Sequence, residues 1–222
     1  MKRILFLSIF LISLLCVGVA PINTARAATQ FTSRAPEAAP EIALTFDDGP
    51  NPVFTPQVLH ILDNYGVKAT FFCIGEQAQE YPGLVRRIRQ AGDALGVHGW
   101  DHTALTKLSP DEVDQQLRSA SIAIQQAAGT TPTVFRPPYG STDRTVVDVA
   151  STLGLTQVLW SVDTDDWQRP GTKAIVNAAL KHAQDRDVIL MHDGGGNRSE
   201  TVAALPQIIT ALQQRGFTFI TL

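Results

Sequence analysis

Ile42-Ala43-Leu44-Thr45-Phe46-Asp47-Asp48-Gly49-Pro50-Asn51-Pro52 is a short apolar run that stops at two adjacent carboxylates and a proline-rich turn. An apolar run of this length, bounded by turn formers, reads as a buried strand. Thr55–Tyr65 follows with helical spacing and ends at Gly66, a residue suited to a left-handed helix stop. The same alternation then recurs. Ala69–Ile74, Leu95–His98, Val134–Arg136, Gln157–Val162, Val188–His192 and Phe217–Leu222 read as further strands, seven in all. Tyr81–Ala91, Pro110–Ala128, Thr142–Leu153, Thr172–Gln184 and Glu200–Arg215 read as the helices between them. Repeated β-α units imply a parallel sheet, which periodicity alone allows to be open or closed.

A parallel sheet gathers functional residues where strands end and loops begin. The polar residues that need explaining sit there: Asp47 and Asp48, His98, Arg136, Asp163 and His192 each end or follow a strand. Adjacent acids before a turn are commonly caps, but two carboxylates can also divide labour, one binding a metal while the other acts as a base. His98 and His102 lie four apart, close enough to share a divalent ion, although two surface histidines would show the same spacing. Arg136, at a buried strand end, needs a partner for its charge. Asp163-Thr164-Asp165-Asp166 lacks the spacing of a twelve-residue calcium loop. His192-Asp193-Gly194-Gly195-Gly196 lacks the Gly-Lys of a phosphate loop. His60 and His182 fall in expected helices and read as ordinary helix residues.

Taken in order, Thr45-Phe46-Asp47-Asp48-Gly49-Pro50, His98-x-x-x-His102, Arg136-Pro137-Pro138-Tyr139-Gly140, Asp163-x-x-Asp166-Trp167 and Leu190-x-His192 resemble the motifs of the polysaccharide deacetylase family, with its NodB-homology domain. The resemblance implies an α/β fold, a distorted (β/α) barrel of seven or eight units, and one divalent metal ion, commonly zinc, with cobalt or another divalent ion also serviceable. It implies Asp48, His98 and His102 as metal ligands, Asp47 as general base and Arg136 as the residue orienting it. His192 is then the general acid and Asp163 the group that holds and tunes it. The Tyr139 backbone N–H contributes to an oxyanion hole, and Trp167 and Leu190 wall a pocket for the acetyl methyl. One departure is Gly99, where the family commonly has Ser or Thr; it removes a loop hydrogen bond and leaves the ligands in place.

The implied activity is removal of N-acetyl groups from N-acetylglucosamine-containing polysaccharide, chitin or chitooligosaccharide or peptidoglycan, with release of acetate. The alternatives are an acetylxylan esterase using the same apparatus on O-acetyl groups and, more distantly, a glycan-binding barrel without activity. The expected partner is the acetylated glycan alone, bound by a monomer. Of the 222 residues 44% are hydrophobic, enough for a packed core, and a net charge of −3 gives no broad positive field for nucleic acid.

The first residues follow other rules. Lys2 and Arg3 precede an apolar run from Ile4 to Ala20, and Ala25-Arg26-Ala27 supplies a small-residue cleavage pattern, so residues 1–27 read as a secretory signal peptide. A retained anchor is the competing reading, because the run is barely long enough to span a bilayer. Cleavage would leave 195 residues and, with Lys2, Arg3 and Arg26 gone and no acid lost, a net charge of −6. The expected destination is extracellular or the cell-wall space. Residues 28–40 read as a flexible leader and 41–222 as the catalytic domain. Cys73 would then be the sole cysteine, buried and inert, so core packing rather than a disulfide must stabilise the fold.

Overall fold

The computed structural model describes residues 39–222; the expected signal peptide 1–27 and nearly all of the leader 28–40 lie outside them. The strands are β1 (Glu41–Asp47), β2 (Thr70–Cys73), β3 (Ala94–Val97), β4 (Val134–Phe135), β5 (Thr156–Gln157), β6 (Val162–Asp163), β7 (Asp187–His192) and β8 (Thr218–Phe219). The helices are α1 (Thr55–Tyr65), α2 (Gly75–Glu80), α3 (Pro82–Gln90), α4 (Pro110–Ala128), α5 (Arg144–Thr152), α6 (Thr172–Lys181) and α7 (Ser199–Gln214). All strand pairs are parallel, in the order β5-β4-β3-β2-β1-β7-β6, with β8 beside the start of β1. The sheet curls into the distorted (β/α) barrel that the motifs imply.

Side-chain alternation along β1 explains how one strand serves both core and site. Ile42, Leu44 and Phe46 point outward into the apolar layer under the helices, where Val58, Leu62, Leu205 and Ile208 meet them. Thr45 and Asp47 point inward and are buried too. β1 is therefore buried on both faces, as a central strand of a parallel sheet must be. α4 starts on a capping box, in which the Ser109 and Glu112 side chains each satisfy the other's backbone N–H.

One expectation needs correction, and one element was not expected. Gln157–Val162, read as one strand, is two: β5 pairs with β4 at one edge of the sheet and β6 with β7 at the other. The residues between them carry the chain from edge to edge. Val158 N–H donates to Phe135 O (2.9 Å) and Ser161 N–H to Val188 O (3.1 Å), each bonding to a different side of this seam. The apolar side chains at 158–160 give the segment the composition of a continuous strand. Second, α2 carried no apolar periodicity, because it buries only Gly75 and Ala78. A Cβ at Gly75 would lie 2.5 Å from Trp100 and 2.9 Å from Ala120, so α2 approaches α4 more closely than any side chain at 75 would permit.

Candidate active site

The C-terminal ends of the strands surround a cavity of about 460 Å³. Nine of the ten expected site residues line it, and the tenth, Arg136, is fully buried behind Asp47.

The two carboxylates after β1 diverge because the backbone turns between them. Asp47 is still in the strand, whereas Asp48 adopts a left-handed conformation (φ 71°) and is followed by a cis Gly49–Pro50 bond. A non-glycine residue in that region is strained and marks a position held by its surroundings. Asp48 Oδ1 comes to lie 3.5 Å from His98 Nε2 and 3.2 Å from His102 Nε2. His98 Nδ1 bonds the carbonyl of Arg136 at 2.8 Å, which requires the proton on Nδ1 and turns the Nε2 lone pair toward Asp48. Asp48 Oδ1 is buried without a hydrogen-bond partner. One donor atom from each of the three side chains falls within 4.8 Å of the others. An acceptor carboxylate facing an imidazole lone pair, with an orphaned oxygen between them, is a donor set that a divalent cation would complete. Burial works against the Asp48 charge, but the imidazoles of His102 and His98 beside it hold its carboxyl far below the usual range.

Asp47 is held from behind. Arg136 Nη1 donates to Asp47 Oδ1 at 2.8 Å and to Thr45 Oγ1 at 2.8 Å, leaving Asp47 Oδ2 on the His98 side, 3.7 Å from Nε2. The guanidinium lies over the Phe72 ring at 4.2 Å, with Trp160 at 5.7 Å on another side. Its Nε and Nη2 donate to the carbonyls of Val158 and Leu159, the backbone of the seam. Its buried charge is thus paired, with all three nitrogens engaged.

His192 ends β7, the strand beside β1, in register with Asp47. Here an expectation fails. His192 Nδ1 bonds Asp166 Oδ1 at 2.7 Å, not Asp163. Asp163 is exposed at the end of β6, and its Oδ1 accepts the N–H of Asp165 at 2.9 Å, closing a local turn. That turn carries the chain into a short 3-10 segment, Asp166–Gln168, which drops Asp166 into the interior beneath the imidazole. Burial alone would lower the proton affinity of His192. The bond and charge of Asp166, with Asp47 and Asp48 further off, reverse this, so the ring titrates above its ordinary value.

The walls follow. Leu190 faces the cavity while its neighbours Ile189 and Met191 face the outer core. Trp167, 53% exposed, forms one lip. Tyr139, 72% exposed, packs edge-on against His102 with ring centroids 4.5 Å apart, on a backbone with φ 61°. Sequence reasoning missed Trp160, which lines the cavity beside Arg136, and Arg198, a buried cation bonded to the carbonyls of Gly194 and Gly195. A tryptophan beside the end of a strand was a usable signal for the first; nothing local pointed to the second.

A parallel barrel whose rim sets a carboxylate–imidazole triad beside an arginine-held carboxylate, with a carboxylate-backed histidine at the end of the neighbouring strand, defines a hydrolase. The polysaccharide deacetylase family model matches residues 34–158, more than half of the chain, and the chain belongs to that family. A peptidoglycan-N-acetylglucosamine deacetylase of Bacillus cereus is 40% identical over 182 residues, covering 81% of this chain and 85% of the relative. A chitooligosaccharide deacetylase of Sinorhizobium fredii is 42% identical over 190 residues, covering 81% and 88%. Among solved structures, a family 4 carbohydrate esterase from Streptomyces lividans in complex with acetate matches with a TM-score of 0.76 at 38% identity, covering 81% of this chain and 91% of that one.

Proposed function

We propose that the chain is a secreted, divalent-metal-dependent deacetylase that removes N-acetyl groups from N-acetylglucosamine-containing glycan, chitooligosaccharide or peptidoglycan, releasing acetate. The observation that carries this reading is the pair of devices on the rim of one cavity: Asp47 held by Arg136 at the end of one strand, and His192 backed by Asp166 at the end of the strand beside it. Cleaving an unactivated amide needs both, a base for water and an acid for the amine.

Asp48, His98 and His102 would hold the ion, and their nitrogen and oxygen donors suit zinc. Such an ion polarises a carbonyl and acidifies water. The chain's own residues do the rest. Asp47 uses Oδ2, the oxygen that Arg136 leaves free, to take a proton from water as the water oxygen bonds to the acetyl carbon. Charge developing on the carbonyl oxygen is met by the backbone N–H of Tyr139. As the carbon–nitrogen bond breaks, His192 gives the amine nitrogen its Nε2 proton, while Asp166 keeps the Nδ1 proton in place. Water and amide become acetate and a free amine. Leu190 and Trp167 exclude water from around the acetyl methyl.

Secretion rests on the basic start, the apolar run 4–20 and Ala25-Arg26-Ala27. An N-terminus at Ala28 in protein recovered from culture medium would support it, and an intact Met1 in washed membranes would refute it. The activity is tested by acetate release from chitotetraose, peptidoglycan and acetylxylan with zinc-loaded protein. Release from acetylxylan alone would make the chain an O-acetyl esterase, and no release from any of the three would overturn the reading.

A further inference from the structure

Asp166 is held by more than His192. Its Oδ1 takes the imidazole Nδ1–H; its Oδ2 takes the backbone N–H of His192 (2.9 Å) and the hydroxyl of Thr201 (2.7 Å). Thr201 is fully buried in the first turn of α7, thirty-five residues along the chain from Asp166. The same turn grips the rest of that segment: Glu200 Oε2 accepts Gly171 N–H at 2.7 Å, and Arg198 Nη1 reaches the carbonyl of Trp167 at 3.4 Å. Arg198 Nε also donates to Gly194 O at 2.6 Å, in the loop that leaves His192. The start of α7 therefore docks against both partners of the dyad at once.

We propose that Thr201 is a positioning residue for proton donation to the leaving amine, acting through Asp166. A carboxylate bonded only by Nδ1 and the neighbouring N–H would be tied to His192 alone and would move with it. A third donor on Oδ2, delivered from a separate element, fixes the plane of the group, so that Oδ1 stays directed at Nδ1 and Nε2 stays directed into the cavity. The hydroxyl also draws charge from the carboxylate and keeps it from taking the Nδ1 proton outright. This inference rests on the deacetylase reading above.

The test is a double-mutant cycle. Thr201→Val keeps the side-chain shape and deletes the hydroxyl; Thr201→Ser keeps the hydroxyl and deletes the methyl. Kinetics are measured on chitotetraose, whose amine needs a proton, and on 4-nitrophenyl acetate, whose phenolate does not. Loss of a hydrogen bond to a charged group predicts that Thr201→Val lowers kcat on chitotetraose about 10-fold, with KM and the ester rate within about 2-fold. Thr201→Ser restores the amide rate to within about 2-fold. In an Asp166→Asn background Thr201→Val costs less than about 2-fold, because the group it acts through is gone. An equal loss in both backgrounds, or on both substrates, would make Thr201 a packing residue and overturn the inference. Thr201→Ala carries the same cycle should the valine variant fold poorly. Wild-type protein that hydrolyses the ester but no N-acetyl sugar would instead overturn the deacetylase reading, and the inference with it.

Discussion

Replacing Asp166 with Asn is the perturbation whose outcome the structure defines most closely. All three partners of this carboxylate are donors: His192 Nδ1–H, His192 N–H and the Thr201 hydroxyl. An amide offers one acceptor and one NH₂, so one side must be wrong. With NH₂ at the Oδ2 place it faces a backbone N–H that cannot reverse its role. With NH₂ at the Oδ1 place it faces Nδ1, which must give up its proton, leaving a neutral ring of the other tautomer. Either way the imidazolium loses the buried negative charge behind it. General acid catalysis contributes about 10²–10⁴-fold, and the ring itself remains, so kcat/KM on chitotetraose should fall by about 10²–10³, or about 3–4 kcal/mol of barrier. 4-Nitrophenyl acetate should lose less than about 10-fold, because a phenolate departs with little help. The pH profile should move as well. Asp166, Asp47 and Asp48 raise His192, so the acid form is present at low pH and lost as pH rises through the raised value; in Asp166→Asn that falling limb shifts to lower pH. Asp163→Asn should stay within about 3-fold of wild type on both substrates, because its carboxylate closes only a local turn. Equal damage from the two asparagines, with metal content unchanged, would refute this assignment.

Three further outcomes are expected. His98→Ala and His102→Ala together should abolish stoichiometric zinc, whereas Asp47→Asn should keep zinc and lose at least about 10²-fold in kcat, as read by metal analysis beside acetate release; a double variant that still binds one zinc would sink the ligand set. Asp193 is buried beside Gly49, accepts the Thr55 hydroxyl, and is pushed up to about 7 by burial against the pull of that bond, with Asp48 and Asp47 adding to the rise. The native state therefore keeps a proton that the unfolded chain releases near pH 4, so stability should fall by up to about 4 kcal/mol between pH 4 and 7; urea unfolding of Asp193→Asn should show that slope flattened, and an unchanged slope would mean the carboxyl titrates normally. Arg136→Met should cost about 3–5 kcal/mol, because it strands the Asp47 carboxylate and two seam carbonyls; a loss below about 1 kcal/mol in the same assay would mean that water replaces the guanidinium.

The alternation of apolar runs and helical segments was legible because each unit repeats the same local logic, and so was the rim, since parallel strands deliver their ends to one side. α1 and α4 begin and end where their proline starts and glycine stops fall. What escaped depends on distance along the chain. Asp163 and Asp166 have the same residue type three positions apart, and only the 3-10 turn between them decides which one is buried. Thr201 carries no motif, and its meaning appears when α7 closes on a segment thirty-five residues upstream. The split of Gln157–Val162 was hidden for a different reason: the segment has the composition of a strand but serves two edges, and composition does not record which neighbour a residue pairs with.

That split gives the molecule an unusual mechanical economy. A hoop closed by hydrogen-bonded ladders all the way round has its girth set by strand number and tilt. Here the last gap is spanned by a strap, Val158–Ser161, whose carbonyls at 158 and 159 are latched by the cation that also grips Asp47. The strap and the carboxylate of Asp47 are thereby held by one side chain. A longer strap would move the two carbonyls and draw the guanidinium, and with it the carboxylate it holds, out of place. A change in the strap is therefore felt at Asp47 through the Arg136 side chain that bonds both.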